Sequence, residues 1–175
     1  MVSCQPINMK TNLVQMWNMG ESRGVFPLKE INPDSILGYL TGEPRFSRFR
    51  YILSISGLES QFNVSDIDNV YTLFVPDDES LINIPESMFV NMDKGTARSI
   101  IQASTLHDRI TGLLLKDSRS QYLPCINDQY RILVTNPHLS QTVINETNLI
   151  RHTDISAGNG LIHVVSNIIW PYNKF

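Results

Sequence analysis

The side chains able to do chemistry are few and scattered. His107-Asp108 and the nearby His152 and Asp154 each put an imidazole beside a carboxylate. A catalytic dyad needs the carboxylate to orient the ring against a nucleophile. Adjacent side chains on a strand point to opposite faces, so His107-Asp108 fits that role badly. His163 sits in the apolar run Leu161-Ile162-His163-Val164-Val165 and reads as a core or interface histidine that donates a hydrogen bond. No three-His or two-His-plus-carboxylate cluster has metal-like spacing. Asp77-Asp78-Glu79 could offer oxygens to a hard cation. A helix N-terminus, where acidic side chains meet free N–H groups, accounts for the trio better. Gly158-Asn159-Gly160 precedes a strand and has no lysine, so it is a loop for unusual backbone angles, not a phosphate cradle. Arg45, Arg48 and Arg50 form a basic cluster beside Phe46 and Phe49, expected as a solvated surface or a contact for an acidic partner. Motifs of the GxSxG, HExxH, GxxxxGK[ST] and CxxC kinds do not occur. The expectation is no catalytic residue, no metal and no cofactor. Asn63-Val-Ser65 and Asn145-Glu-Thr147 match the glycan-acceptor pattern, a weak signal in an Asn-rich chain.

The elements that would position these residues belong to a chain of 175 residues, 42% hydrophobic and 18% charged, a globular composition sized for one domain. Fourteen Lys and Arg against 17 Asp and Glu give a net charge of −3, so no basic surplus exists to neutralise a phosphate backbone, and nucleic acid is not an expected partner. No apolar run approaches the ~20 residues that span a bilayer. Cys4 and Cys125 are too few for a disulfide scaffold and are expected as free thiols. Polar residues interrupt the first 24 positions, which gives no secretory signal pattern and an expectation of cytosolic synthesis.

Residues 1–32 show no sustained period and read as an N-terminal arm. Its apolar cluster Leu13, Val14, Met16, Trp17 and Met19 is the candidate partner-binding segment, since Trp and Met favour interface cores. Asp34 is the expected cap of a helix over Ser35–Leu40, and Pro44 the start of a second whose buried face is Phe46, Phe49, Ile52 and Leu53, stopping at Gly57. Tyr71–Val75 is a strand ended by Pro76; Asp77 and Asp78 open a short helix, and Pro85 opens another through Phe89. Asp93 or Thr96 caps a helix over Ala97–Leu106. Ile110–Leu115, Tyr130–Thr135, Thr142–Asn145, Leu149–His152 and Leu161–Trp170 read as strands. Helices first and strands later make an α+β domain with a mostly antiparallel β half.

Three stretches resemble the fasciclin domain family, over roughly residues 33–171. Ser35-Ile36-Leu37-Gly38-Tyr39-Leu40 with Phe46, Phe49, Leu53 and Gly57-Leu58 is similar to the family's first two helices. Tyr71-Thr72-Leu73-Phe74-Val75-Pro76-Asp77-Asp78-Glu79-Ser80-Leu81 is similar to its first signature block, and Asn159-Gly160-Leu161-Ile162-His163 through Trp170-Pro171 to its second. Between the blocks the family usually carries a Tyr-His pair. His107 matches the His, and the resemblance implies a structural ring hydrogen-bonded within the fold. Leu106 stands at the Tyr position, so integrin binding, which rests partly on that Tyr, is not carried over. Thr72, Phe74, Pro76, Asp77, His107, Asn159, Gly160, His163 and Pro171 are the motif residues expected to have structural roles. The implied fold is a compact β-wedge or sandwich with helices packed along it, here with an arm at 1–32 and a tail at 172–175.

The resemblance implies adhesion or protein–protein interaction without a cofactor. Two expectations follow. The first is a non-enzymatic structural component of a larger assembly, such as a minor capsid or cement protein packaged in a virus particle, joined to other proteins through the arm. The second is an extracellular or cell-surface adhesion module of the fasciclin type. Neither calls for a small-molecule substrate.

Overall fold

The computed structural model describes residues 30–117 and 120–171. The arm cluster Leu13, Val14, Met16, Trp17 and Met19, Cys4 and the tail at 172–175 lie outside the described residues. Helix α1 spans Ile36–Gly42. Its cap is Ser35, not Asp34: Ser35 is extended, and its hydroxyl accepts the Gly38 N–H at 3.0 Å. A 3-10 turn over Pro44–Phe46 leads into α2, Ser47–Ser56, which stops at Gly57 with a left-handed φ of 76°. The first residues of α2 are capped from outside the helix. Asp78 accepts the Arg48 N–H at 2.9 Å through Oδ1 and the Ser47 hydroxyl through Oδ2. Burial raises the Asp78 carboxyl above its ordinary range, against the opposing pull of these donors. Asp78 is committed to α2, and Asp77 accepts the Ser80 N–H at 2.9 Å at the head of a run of turns over 78–83, where a short helix was expected.

The arginine cluster also differs from its expected solvated surface. Arg48 is buried, donates to the Leu81 carbonyl and lies 5.5 Å from the Phe89 ring. Arg50 is buried with Glu59 at 2.6 Å and Thr41 at 3.1 Å. Arg45 alone of the three is outside, over the Phe46 ring at 4.6 Å. Two of the three therefore brace α2 from within, because their long stems reach acceptors that exposed positions lack.

Seven strands follow the order β2-β1-β7-β6-β5-β4-β3. They are β1 Tyr71–Pro76, β2 Thr105–His107, β3 Ser120–Pro124, β4 Arg131–His138, β5 Gln141–Ile144, β6 Asn148–Ala157 and β7 Gly160–Val165. The central pair, β1 and β7, is parallel, with Leu73 opposite Ile162 and Phe74 opposite His163. Both are buried along their whole length. Leu73, Val75, Ile162 and Val164 pack into one cluster with α1, α2 and α4 (Lys94–Ala103). Phe74 and Val165 pack into a second with Leu106, Leu115, Cys125, Ile132, Val134 and Ile144. Alternate residues of two central strands thus seed two cores, the period-2 rule applied to strands covered on both faces. The sheet also curls: Leu106 of β2 bridges Cys125 beyond β3, and the Ile126 N–H donates to the Thr105 carbonyl at 2.9 Å. Burial pushes the Cys125 thiol up to about 12.

Four elements depart from the sequence reading. The helix expected to reach Leu106 ends at Ala103, where the Ser104 and Thr105 hydroxyls turn back to the Ile100 and Ile101 carbonyls and Thr105–His107 joins the sheet. Ile110–Leu115 is not a strand: Thr111 caps a helix α5 over Gly112–Lys116. A short leucine run does not distinguish helix from strand by period. The last strand stops at Val165, short of Trp170. Strand β3 was not expected, since only Gln121 and Leu123 face inward, and partly, between Ser120, Tyr122 and Pro124. The remaining helix, α3, spans Glu86–Val90.

Candidate interaction surface

The turn from β2 into α5 runs across the ends of β1, β6 and β7, and four polar side chains fix it there. Thr72 on β1 donates to the Asp108 carbonyl at 2.7 Å and accepts the Ile110 N–H at 2.8 Å. Arg109 donates to the carbonyls of Ala157, Gly158 and Gly160 at 3.0–3.2 Å. His163 on β7 is fully buried, with its Nε2 2.7 Å from the Ile110 carbonyl and its Nδ1 accepting the Asp154 N–H at 3.0 Å. The two partners dictate the tautomer: the proton is on Nε2. Asp154 also accepts the Gly112 N–H, at the first residue of α5, at 2.9 Å through Oδ1.

Asp154 can do both because β6 is irregular there. The β6–β7 register shifts between His152 and Ile155, and Asp154 has a left-handed φ of 63°. The bulge turns the Asp154 N–H towards the ring and its carboxylate towards α5. Burial holds the His163 pKa below the ordinary histidine value, while the Ile110 carbonyl and the Asp154 charge pull it upward.

These bonds hold α5 so that Leu115 is buried while Leu113 and Leu114 are 78% and 53% exposed. Two neighbouring leucines thus stand in solvent on a backbone held by the buried Thr72 and His163 and by Arg109 and Asp154 at the surface. Asn136, at the far end of β4, donates to the Leu115 carbonyl at 2.8 Å and places the β4–β5 hairpin, with exposed Leu139, beside the same helix.

The remaining candidates fall elsewhere. Asn159 is buried and joins three elements: its Oδ1 accepts the Ile36 N–H at 2.8 Å, its Nδ2 donates to the Phe62 carbonyl, and its own carbonyl accepts the Tyr71 N–H at 2.9 Å. Gly160 opens β7 opposite Tyr71. Phe74 lies in the second core with its ring 5.4 Å from that of His163. Pro76 ends β1, Asp77 closes the turn after it, and Pro171 is half-buried after the last strand. His107 differs from its expected hydrogen-bonded state. Its ring is exposed, 6.2 Å from the Tyr71 ring, and forms no hydrogen bond among the described residues. The internally bonded histidine is His163. A shallow recess of about 120 Å³ lies between the 67–71 segment and His107-Asp108, and neither His152 nor Asp154 lines it. Among the described residues, no group of His, Cys, Asp and Glu could hold a metal ion, and no helix is long and apolar enough to cross a membrane. Sequence reasoning missed Arg109, Leu113 and Leu114. Nothing local marks Arg109, whose acceptors lie about fifty positions away.

A curled seven-stranded sheet with helices along it, and an apolar helix held at one end, define a compact α+β domain of the fasciclin fold. The fasciclin domain model matches residues 44–171, and the chain belongs to the fasciclin domain family. A solved fasciclin domain pair from the insect cell adhesion molecule Fasciclin I superposes with a TM-score of 0.62 at 24% identity. The match covers 80% of this chain and 51% of that one, so this chain spans about half of the pair. No curated protein matches.

Proposed function

We propose that this chain is a protein-interaction module of the fasciclin adhesion type, with the Leu113–Leu114 shelf of α5 as part of its contact surface. The observation that supports the reading most directly is the shelf itself: adjacent leucines, 78% and 53% exposed, on a backbone held by Thr72, Arg109, Asp154 and His163. Exposed apolar side chains on a rigid support present contact area at small ordering cost. The superposed Fasciclin I pair is a cell adhesion molecule by description, and the same role is proposed here at the cell surface or outside the cell. The test is adhesion of cells to surfaces coated with the full chain. Leu113→Ser with Leu114→Ser should lower adhesion about tenfold or more and change stability by less than about 1 kcal/mol, as substitutions at exposed positions do. Full adhesion by the stable double variant would remove the shelf, and no adhesion by the parent chain would remove the module reading.

The assembly reading rests on the sequence of the arm and has no support in the family match or the superposition, least of all for a virus particle. Its check is native mass spectrometry of the chain with and without residues 1–30. A complex lost only on truncation would assign partner binding to Leu13, Val14, Met16, Trp17 and Met19.

A further inference from the structure

We infer that His163 is a proton-operated latch on the Leu113–Leu114 shelf, holding α5 in place while the ring is neutral and releasing it when the ring takes up a second proton. The inference concerns regulation of the proposed contact surface and rests on that reading for its biological use, though not for its test.

A neutral ring suits this site and a charged one does not. The Nε2–H already donates to the Ile110 carbonyl, 2.7 Å away. The next proton must go to Nδ1, where the partner is the Asp154 N–H at 3.0 Å. Two donors would then face each other in a fully buried position.

The surroundings direct where that conflict resolves. From β1 the facing group is the uncharged Phe74 ring at 5.4 Å. The preceding turn presents the Ile110 carbonyl; its guanidinium, that of Arg109, is committed to the carbonyls of Ala157, Gly158 and Gly160. From β6 the charged group is Asp154, whose carboxylate acts electrostatically on the ring. That carboxylate holds Gly112 N–H at the start of α5. An imidazolium would draw the same oxygen atoms towards itself and away from Gly112. One residue therefore links the protonation of the ring to the seating of the helix: Asp154 gives its N–H to His163 and its Oδ1 to α5. The bulge in β6, where Asp154 is already left-handed, is the segment able to reorient without breaking the central β1–β7 pairing.

The sign follows from burial. The unfolded ring titrates near ~6.5, and the folded ring below that value. Below ~6.5 the open form binds a proton that the latched form refuses, so opening becomes easier as pH falls.

The test is nuclear magnetic resonance on the isolated full chain, following histidine ring signals and amide-exchange protection from about pH 7.5 to about pH 4.5. As His163 titrates, the amides of Ile110, Gly112, Leu114, Leu115 and Asp154 should lose about tenfold in protection or more, while those of β1 and α4 keep theirs. His163→Gln, which keeps a donor and an acceptor but takes up no proton, should remove the pH dependence at α5. Should that variant not fold, Asp154→Asn gives the second reading: asparagine tolerates the left-handed backbone, and its oxygen still accepts the Gly112 N–H. It lacks the charge that draws a proton to the ring, so the midpoint should move to lower pH. A ring that titrates without local opening, a ring that stays neutral throughout, simultaneous loss of protection in β1 and α4, or an unmoved midpoint in Asp154→Asn would each overturn the latch. No partner is needed, so failure here is distinct from failed adhesion. Leu113→Ser with Leu114→Ser should lower adhesion about tenfold or more and leave the titration in place.

Discussion

Phe74→Ala is expected to lower the unfolding free energy by about 3–5 kcal/mol, read as the midpoint shift in urea with an unchanged slope. The ring is fully buried and is the largest side chain of the second core, where it meets the alternating residues of β7 and the helices and strands beyond them. Removing it leaves a cavity between a central strand, which is paired on both sides, and a core that includes Leu106, Leu115 and Ile169. Neither neighbour strand can move inward without breaking its ladder, so the cavity term adds to the lost transfer energy. The same residue supports the ring of His163, 5.4 Å away, and the variant should also loosen the 108–112 turn. A loss under about 1 kcal/mol would mean that the second core is not packed as described.

Gly160→Ala is the other large expectation, about 3 kcal/mol or more, with failure to fold as the extreme. A Cβ at this position would stand 1.9 Å from the Tyr71 carbonyl oxygen and 2.8 Å from its carbon, backbone atoms that cannot yield. Tyr71 is also held by the neighbouring Asn159 carbonyl at 2.9 Å, which in turn belongs to the residue that binds Ile36 and Phe62. Separating the two strands at this point would therefore disturb the entry of β1, the start of α1 and the turn into β7 together. Gly42 is the matched control. It ends α1 with open space around its Cβ position, and Gly42→Ala should change stability by under about 1 kcal/mol, in the favourable direction. Equal losses at the two glycines would show that the close approach at Gly160 is not what matters.

The two predictions concern residues that the signature blocks already single out, and this marks how far the chain is legible without a structure. Tyr71–Pro76 and Gly160–Val165 are continuous apolar, β-branched runs bounded by Pro76 and by Gly158-Asn159-Gly160, so their nature follows from composition and punctuation alone. Gly57 as a left-handed stop and a cap at Asp93 or Thr96, of which Asp93 serves, follow from local rules, since both act on the helix they adjoin. The family's blocks lie in the same stretches, and the family and the fold were therefore readable.

The surface was not readable, because most of the groups that build it act at a distance. Asp77-Asp78 looks like a helix start, but Asp78 caps a helix thirty positions earlier. Arg48 and Arg50 look solvated until α2 is packed against Leu81, Phe89 and Glu59. Ile110–Leu115 reads as a strand in the sequence, but Thr111 and Asp154 across a bulge make Gly112–Lys116 a helix. Local propensity and period determined the central strands, most helices and the identity of the family, because those depend on residues a few positions apart. Only the tertiary structure decided which histidine is internal, which arginines are buried and which leucines face solvent, because those depend on hydrogen bonds that span tens of residues and exist only once the sheet has closed.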